Sequence, residues 1–418
     1  MVADIRSEVN VSHYEDPWES SYGKIIHASV LFRHGDRSVI EPYPTDPYPA
    51  SIWQDGLGQL SKLGKEHEYE LGLWLRLRYK SVFEDRYRHD AILVDSSNID
   101  RTLMSAELVL AAMFPPRQED MWNKLNFTWQ PIPVHTVPVE EDYYIHQETP
   151  CNRYDVEVSI VNSSPDLLAY YQEHEGVLQY VGKYSGFTMT SDDVFESFWH
   201  IDQVHDALLV ESLNNFTLPQ WTHKVFPHPL RELSAFSFFL PTYTHEMRRL
   251  KAGPFLGRVL EDMRKKIDGN FNQTLHIYSG HDSTIANVLS ALGQYNFQLP
   301  PYSSSVLFEL REKDDNYFIT ILYRNSSTQA PYLLNFTECG GVCTVDQFIN
   351  LTANLIPSDY VAECNIGMVE KFITFHFFHI IVMVSIAVML FMYGSRKRRI
   401  QRYVRYQRVK NEVLKTPA

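Results

Sequence analysis

The stretch Lys24-Ile-Ile-His-Ala-Ser-Val-Leu-Phe-Arg33-His34-Gly35-Asp36-Arg37 constrains this chain most, because an apolar run ends there in a dense knot of charged groups. Ile25, Ile26, Val30, Leu31 and Phe32 are β-branched or bulky and read as a buried strand, although periodicity alone would also fit a short helix. The knot then sits at the strand's carboxyl end, the edge outside which ligands bind in open α/β sheets. Two arginines four residues apart, with a histidine beside the first and a glycine between, could aim several N–H donors at one small anion.

The 418 residues suffice for one large domain or two smaller ones, and an apolar share of 44% against 21% charged is that of a globular chain. From Gly394 onward nine Lys or Arg face the single acid Glu412, a tail of +8, which leaves −21 on the rest of a chain whose formal charge is −13. So acidic a body argues against nucleic acid as a partner. Phe372 to Tyr393 is a run of 22 residues without Asp, Glu, Lys or Arg. As a helix at ~1.5 Å per residue it spans the ~30 Å hydrocarbon core, whereas a core helix of that length would show a polar face. Arg396-Lys397-Arg398-Arg399 follows directly, so the positive-inside rule places residues 394–418 in the cytoplasm and the large body in a lumen or outside the cell.

Eight Asn-x-Ser/Thr sequons, at Asn10, Asn126, Asn162, Asn215, Asn272, Asn325, Asn335 and Asn350, all precede that span, as expected for a glycoprotein on the secretory route. The four cysteines also precede it and fit an oxidising compartment; Cys151, Cys339, Cys343 and Cys364 allow three pairings. Cys339 and Cys343 flank Gly340-Gly341, whose freedom at positive φ could let a very small loop close, leaving Cys151 for Cys364. A zinc site is the rival, but a second close pair and nearby histidines are missing. Residues 1–23 are polar and acidic without the apolar core of a signal peptide, and the expected reading is an incomplete amino terminus.

Along the chain, Glu41-Pro-Tyr-Pro-Thr-Asp-Pro-Tyr-Pro49 excludes a helix or a central strand and is expected to wrap the mouth of a site. A helix is expected from Ser61, a plausible N-cap, through Leu77, then a strand over 91–95 leading into Arg101 and a helix over 102–114 stopped by Pro115-Pro116. Between residues 126 and 244 helical stretches over 164–180 and 191–211 predict a mostly α insertion. The final block predicts a helix over 255–267, a strand over 274–278 ending in Ser279-Gly-His281-Asp282, a helix over 283–292, and a hairpin of 306–310 with 317–323 at a sheet edge. Strand-helix units interrupted by an α insertion give an α/β domain, residues 24–125 and 245–368, with a smaller helical one, 126–244.

Three predicted strand ends now carry polar groups: Arg33, His34 and Arg37, then Arg101, then His281 and Asp282. Parallel strands would bring them to one edge. A phosphate monoester suits that pocket, because its oxygens take forked guanidinium donors that also stabilise charge in an in-line transfer. The chain shows no Walker-type loop, no Cys beside a phosphate loop and no metal cluster, so neither a cofactor nor a metal is expected. His34 is the candidate nucleophile, kept neutral by flanking cations; Asp282 would protonate the leaving oxygen and then take a proton from the hydrolytic water. A nearby phosphate dianion would raise the Asp282 carboxyl, and an acid optimum is expected. Singly, a His or Asp at a strand end is more often a cap or surface group, and Arg101 alone an ordinary salt bridge; the combination carries the reading.

Phe32-Arg-His-Gly-Asp-Arg37 with Tyr43-Pro-Thr-Asp-Pro47, Gly58-Gln-Leu60, Asp100-Arg-Thr-Leu-Met-Ser-Ala106, Asn215-Phe-Thr-Leu-Pro219, Tyr278-Ser-Gly-His-Asp282 and Leu299-Pro-Pro-Tyr302 together resemble the histidine acid phosphatases of the animal prostatic and lysosomal type. The resemblance runs from about Lys24 to Cys364. It implies a phosphoglycerate-mutase-like α/β fold with a smaller α domain, His34 as nucleophile, Asp282 as proton donor, and Arg33, Arg37, Arg101 and His281 as phosphate ligands, with no metal. It also implies the pairs Cys151 with Cys364 and Cys339 with Cys343. The chain departs from the family pattern at Val210 and Ser305, where two half-cystines expected to pair are both absent. The expected partners are small-molecule or phosphoprotein phosphate monoesters and the membrane through one helix; a homodimer is left open. The helix and tail, with Tyr406-Gln-Arg-Val409 in the form of a sorting signal, point to a lysosomal or cell-surface address, although a basic tail near anionic lipid is as good an account. Two other functions compete: a phosphatase selective for lysophosphatidate or inositol phosphates, and a silent membrane receptor with an anion pocket, against which intact His34 and Asp282 speak.

Overall fold

The computed structural model describes residues 16–83, 86–122 and 129–365, together with 389–390, 392–393 and 396–397. Residues up to Tyr360 form one compact unit and those from Val361 another; in the second, 361–365 are helical. The expected membrane span and basic tail lie outside the described residues apart from those few positions. Among the described residues no helix is long and apolar enough to cross a membrane.

The first unit is built on a mixed seven-stranded sheet, ordered β2-β3-β1-β4-β5-β6 with β7 also against β5. Its strands are β1 Lys24–Arg33, β2 Ile92–Ser96, β3 Leu275–Gly280, β4 Ser305–Lys313, β5 Asn316–Arg324, β6 Tyr332–Leu333 and β7 Cys343–Thr344. The helices are α1 Glu19–Tyr22, α2 Lys62–Phe83, α3 Asp100–Met113, α4 Asn152–Asn162, α5 Pro165–Ser185, α6 Val194–Leu213, α7 Leu230–Phe239, α8 His245–Lys251, α9 Gly253–Ile267, α10 Asp282–Ala291 and α11 Val345–Thr352. β1, β2 and β3 run parallel, with Arg33 opposite Gly280 and Ser96 opposite Ser279, so their carboxyl ends come out together.

The strand pattern explains the layers. On β1, Ala28, Val30 and Phe32 face a core with Leu71, Leu75 and Tyr79 of α2 and Val109 and Leu110 of α3. The alternate residue Leu31 faces the other core, with Phe255, Leu256 and Val259 of α9 and Ile285 and Val288 of α10. A period of two thus buries both faces, which is why the strand reads as a near-continuous apolar run. A third core joins Leu167, Tyr171 and Leu178 of α5 to Phe198, Ile201 and Val204 of α6 and Leu230 of α7, and draws in Val39 and Tyr43 from the loop after β1. Before α4 the chain stays with the sheet: His135 bridges Asp95, and Ile145 packs in the core of α9 and α10.

Local signals account for several helix ends. Ser61 Oγ accepts from Gly64 N at 3.0 Å and starts α2; Ser164 caps α5, with Pro165 in its first turn and Gly186 closing it at φ 86°. The hairpin of β4 and β5 is present but is not at an edge: β4 pairs with β1, and β5 is continued by the two-residue strands β6 and β7, too short to read as strands from sequence. Cys339 is bridged to Cys343, and no described cysteine is free.

Candidate active site

The parallel strand ends deliver the predicted groups to one place. Arg33 and His34 leave β1, Arg101 opens α3 after β2, and His281 and Asp282 join β3 to α10. A cavity of about 530 Å³ is lined by Arg33, Arg37, Arg101, His281 and Asp282 at its polar end. His34 lies behind this lining, with its ring 5.6 Å from that of His281 and 6.0 Å from that of Tyr302. All six site residues expected from sequence are therefore brought together.

The backbone under His34 is held by close packing. A Cβ on Gly35 would stand 2.5 Å from the carbonyl oxygen of Gly64, and one on Gly64 would collide with the backbone of Asp36. The first turn of α2 thus lies flush against the His34–Asp36 peptide planes. Gly35 is needed for that space, not for an unusual φ, since it is absent from the positive-φ glycines. Ser61 Oγ also binds the Asp36 carboxylate, and Gly35 N donates to Ser105 Oγ at 3.2 Å.

His34 Nδ1 donates to the carbonyl oxygen of Gly35 at 2.8 Å, which leaves the lone pair on Nε2. Burial, reinforced by Arg101, Arg33 and Arg37, drives this imidazole well below its ordinary value and so favours its neutral form. Burial and Arg101 do the same to His281, whose Nε2 is hydrogen-bonded to Ser97 Oγ at 2.8 Å; Ser97 in turn meets Thr102 Oγ1 at 2.8 Å.

Arg33 and Arg37 are engaged through their terminal nitrogens. Arg33 Nη1 donates to the Pro300 carbonyl at 2.6 Å, its Nη2 pairs with Asp282 Oδ2 at 2.6 Å, and the Tyr302 ring covers the guanidinium at 4.0 Å. Arg37 is forked onto Asp206 of α6, Nη1 to Oδ2 at 2.9 Å and Nη2 to Oδ1 at 3.0 Å. Burial would lower Arg37, but Asp206 raises it above the ordinary arginine value; Arg101, buried beside Arg37, is instead lowered to about 10. The Nε atoms of Arg33, Arg37 and Arg101 are all buried and have no hydrogen-bond partner among the described residues. Leaving a buried donor unpaired costs about 1–3 kcal/mol, so three of them around one cavity mark a place built for an anion.

With no anion beside it, the Asp282 carboxyl is held below its ordinary value. Burial would raise it, but Arg33, Arg37 and His281 outweigh burial and hold it below its ordinary value, and Ser283 N donates to its Oδ1 at 2.9 Å. An oxyanion on Arg33 would compete for that guanidinium and remove the chief cause. Asp206 and Tyr302 were not among the expected site residues. Asp206 shares a face of α6 with Asp202 one turn earlier, but Glu196 and Glu211 lie on the same helix and no local signal singled out the acid that meets Arg37.

The rest of the cavity wall is mixed, with more acidic than basic side chains. Ile40, Trp199, Leu209, Leu213, Phe226 and Phe238 line it with Glu41, Glu148, Asp202 and Asp206, beside Arg231, the imidazoles of His146 and His205 and a few neutral polar groups. The proline-rich loop contributes Ile40 and Glu41 and is tied to the helices by Thr45 N to Ser185 O at 3.1 Å and Tyr48 Oη to Thr217 O at 2.7 Å. Among the described residues no group of three or more His, Cys, Asp or Glu could hold a metal ion.

Comparison with known proteins agrees with this geometry. The model of the histidine phosphatase superfamily (branch 2) matches residues 24–324. The chain is 37% identical to human prostatic acid phosphatase over 340 residues, 80% of this chain and 86% of that protein. It is 35% identical to the Xenopus laevis lysosomal acid phosphatase over 342 residues, 80% of this chain and 78% of the relative. Among solved structures, the phytase of Hafnia alvei in complex with tartrate superposes with a TM-score of 0.61 at 15% identity, covering 82% of this chain and 98% of that one, a likeness of fold.

Proposed function

This chain belongs to the histidine phosphatase superfamily (branch 2) and is a phosphatase, and from that premise we propose that it hydrolyses phosphate monoesters in acid through a phosphohistidine formed on His34. The observation that carries the reading is the set of three buried arginine Nε donors without partners, converging with a neutral histidine. Three non-bridging phosphoryl oxygens would accept from Arg33, Arg37 and Arg101, with His281 as a further ligand.

The lone pair of His34 Nε2 attacks phosphorus while the bond to the ester oxygen breaks in line. The bound dianion draws Arg33 away from Asp282, the carboxyl rises and takes up a proton, and it gives that proton to the departing oxygen. Asp282, now a carboxylate, then accepts a proton from water as the water oxygen attacks phosphorus and the N–P bond breaks. Inorganic phosphate leaves and neutral His34 returns.

In this reading residues 24–125 and 245–368 form the sheet-bearing domain of a phosphoglycerate-mutase-like fold, and within 126–244 the part from α4 onward is the helical insert, the stretch before α4 staying with the sheet. Residues 372–393 anchor it in the membrane with 394–418 in the cytoplasm, Cys151 pairs with Cys364, and the body faces a lysosomal lumen or the cell exterior, in keeping with the lysosomal and prostatic names of its relatives. The outer wall, with more acidic than basic side chains, favours a monoester with a weakly charged leaving group over a polyphosphorylated one.

The test is hydrolysis of p-nitrophenyl phosphate near pH 5 by wild type and His34→Ala, with an alkaline quench to trap labelled phosphohistidine. Loss of about 10³-fold or more and of the trapped label is expected in the variant. Equal activity in both, or an optimum above pH 8 with Asp282 dispensable, would overturn the assignment.

A further inference from the structure

Arg33 and His34 owe much of their placement to an irregular loop that precedes β4. The Pro300 carbonyl accepts from Arg33 Nη1 at 2.6 Å, Tyr302 covers the guanidinium at 4.0 Å, and the Ser304 carbonyl accepts from Arg33 N at 2.9 Å. Ser303 N donates to the His34 carbonyl at 3.3 Å. The loop is itself neither strand nor helix, and Ser303 sits at φ 57°, a left-handed conformation that a serine rarely adopts without outside support.

The support comes from α2. Ser303 Oγ donates to Glu68 Oε1 at 2.6 Å, and Arg324 Nη1 donates to the Ser303 carbonyl at 3.3 Å. Glu68 is fully buried, does not line the cavity, and its second oxygen has no partner among the described residues. A fully buried carboxyl with a single hydrogen bond is poor design for stability alone. Its one bond ends on the loop residue that touches His34.

We propose that Glu68 is a positioning residue of this phosphatase: through Ser303 it fixes the loop of residues 299–304, and the loop fixes the Arg33 guanidinium and the His34 backbone. The inference rests on Arg33 and His34 serving the reaction as described above. Burial pushes the Glu68 carboxyl up to about 8, so across the acid range it is a neutral acceptor for Ser303. A glutamine can replace it in that role and an alanine cannot.

The experiment compares full-length wild type, Glu68→Ala, Glu68→Gln, Ser303→Ala and the Glu68→Ala/Ser303→Ala double variant, with kcat and KM for p-nitrophenyl phosphate at pH 5 normalised to folded protein. Glu68→Ala and Ser303→Ala should each lower kcat/KM on the order of 10- to 100-fold, as small misplacements of reacting groups do, with most of the loss in kcat. The double variant should lose no more than the worse single one, because both break one connection. Glu68→Gln should restore activity and keep the wild-type pH profile between pH 4 and 7. Wild-type kcat in both alanine variants, additive losses in the double, or Glu68→Gln as impaired as Glu68→Ala would each overturn the proposal. Ser303→Ala removes one hydroxyl and carries the test by itself if Glu68→Ala does not fold. An inactive wild type would fault the phosphatase mechanism instead; an active wild type with active alanine variants faults this proposal alone.

Discussion

Two buried arginine assemblies in this unit use the same chemistry to opposite ends. Around Glu309 of β4 every charge is answered inside the protein: Oε1 accepts from Arg78 Nε at 2.6 Å and Tyr79 Oη at 3.0 Å, and Oε2 from Arg311 Nη2 at 2.6 Å and Thr320 Oγ1 at 3.1 Å. Arg311 also gives Nε to Thr320 Oγ1 at 2.8 Å and Nη1 to Gly23 O at 3.1 Å, and pairs with Asp16 at 2.6 Å. Two guanidiniums thus meet two carboxylates. At the strand ends Arg33, Arg37 and Arg101 meet Asp282 and Asp206, a positive excess of one, and each keeps an unpartnered Nε. Burial alone therefore does not mark a functional arginine; the mark is a donor and a charge left over once internal partners are counted.

Matched substitutions test that difference most directly. Arg311→Met should leave Arg78 alone beside Glu309 and Asp16 without its partner, and destabilise the fold by about 3–5 kcal/mol, while the protein that remains folded keeps its specific activity. Arg101→Met removes a guanidinium that burial and Arg37 already disfavour. It should leave stability unchanged or higher and lower kcat/KM by about 10²-fold or more. Urea titrations and kinetics normalised to folded protein separate the two; equal destabilisation by both would erase the distinction.

A smaller effect sharpens it further. Inorganic phosphate that binds the folded site should stabilise wild type by about 2.7 kcal/mol at 100 times its Kd. Arg311→Met should keep that increment, whereas Arg101→Met should lose most of it. Thermal melts with and without phosphate read the result, and an increment that survives in Arg101→Met would remove the leftover donors from the phosphate site.

What could be read in advance divides by distance along the chain. β1, β3, the Ser61 cap and the Arg33–Arg37 knot are local: a short apolar run, a hydroxyl before a helix and charges at a strand end all lie within one window of sequence. That the strands run parallel was expected from the strand-helix units, and their parallel pairing as β2-β3-β1 brings Arg101, His281 and Asp282 to His34. The partners that decide how those groups behave were out of reach. Arg37 finds Asp206 across 169 residues, and Ser303 finds Glu68 across 235. Nothing in the helix pattern of α6 or α2 says which acid will face a cation and which will be buried with one hydrogen bond. The same holds for Asp282: its position was legible, but its bond to Arg33, which holds the carboxyl down while no anion is bound, is a matter of side-chain geometry.

Asp202 stands between the two assemblies and yields the smallest predicted effect. It lies one turn before Asp206 on α6 and receives one hydrogen bond, from Ser234 Oγ at 2.5 Å, while Asp206 has the forked bond to Arg37. Burial, with the Asp206 charge added, pushes its carboxyl from 3.8 up to about 7. A raised carboxyl favours the native state only while the proton stays bound. Below about pH 4 native and unfolded chains both hold it, so this contribution is fully present; between about 4 and 7 the unfolded chain releases the proton and the native one keeps it, so stability falls; above 7 both are ionised and the loss levels off. Asp202→Asn carries no such proton. Its Tm should match wild type near pH 4, exceed it increasingly through pH 6, and hold a constant lead of several degrees above pH 7. A lead that does not change with pH would show that Asp202 has an effective counter-charge after all and belongs with the matched assembly around Glu309.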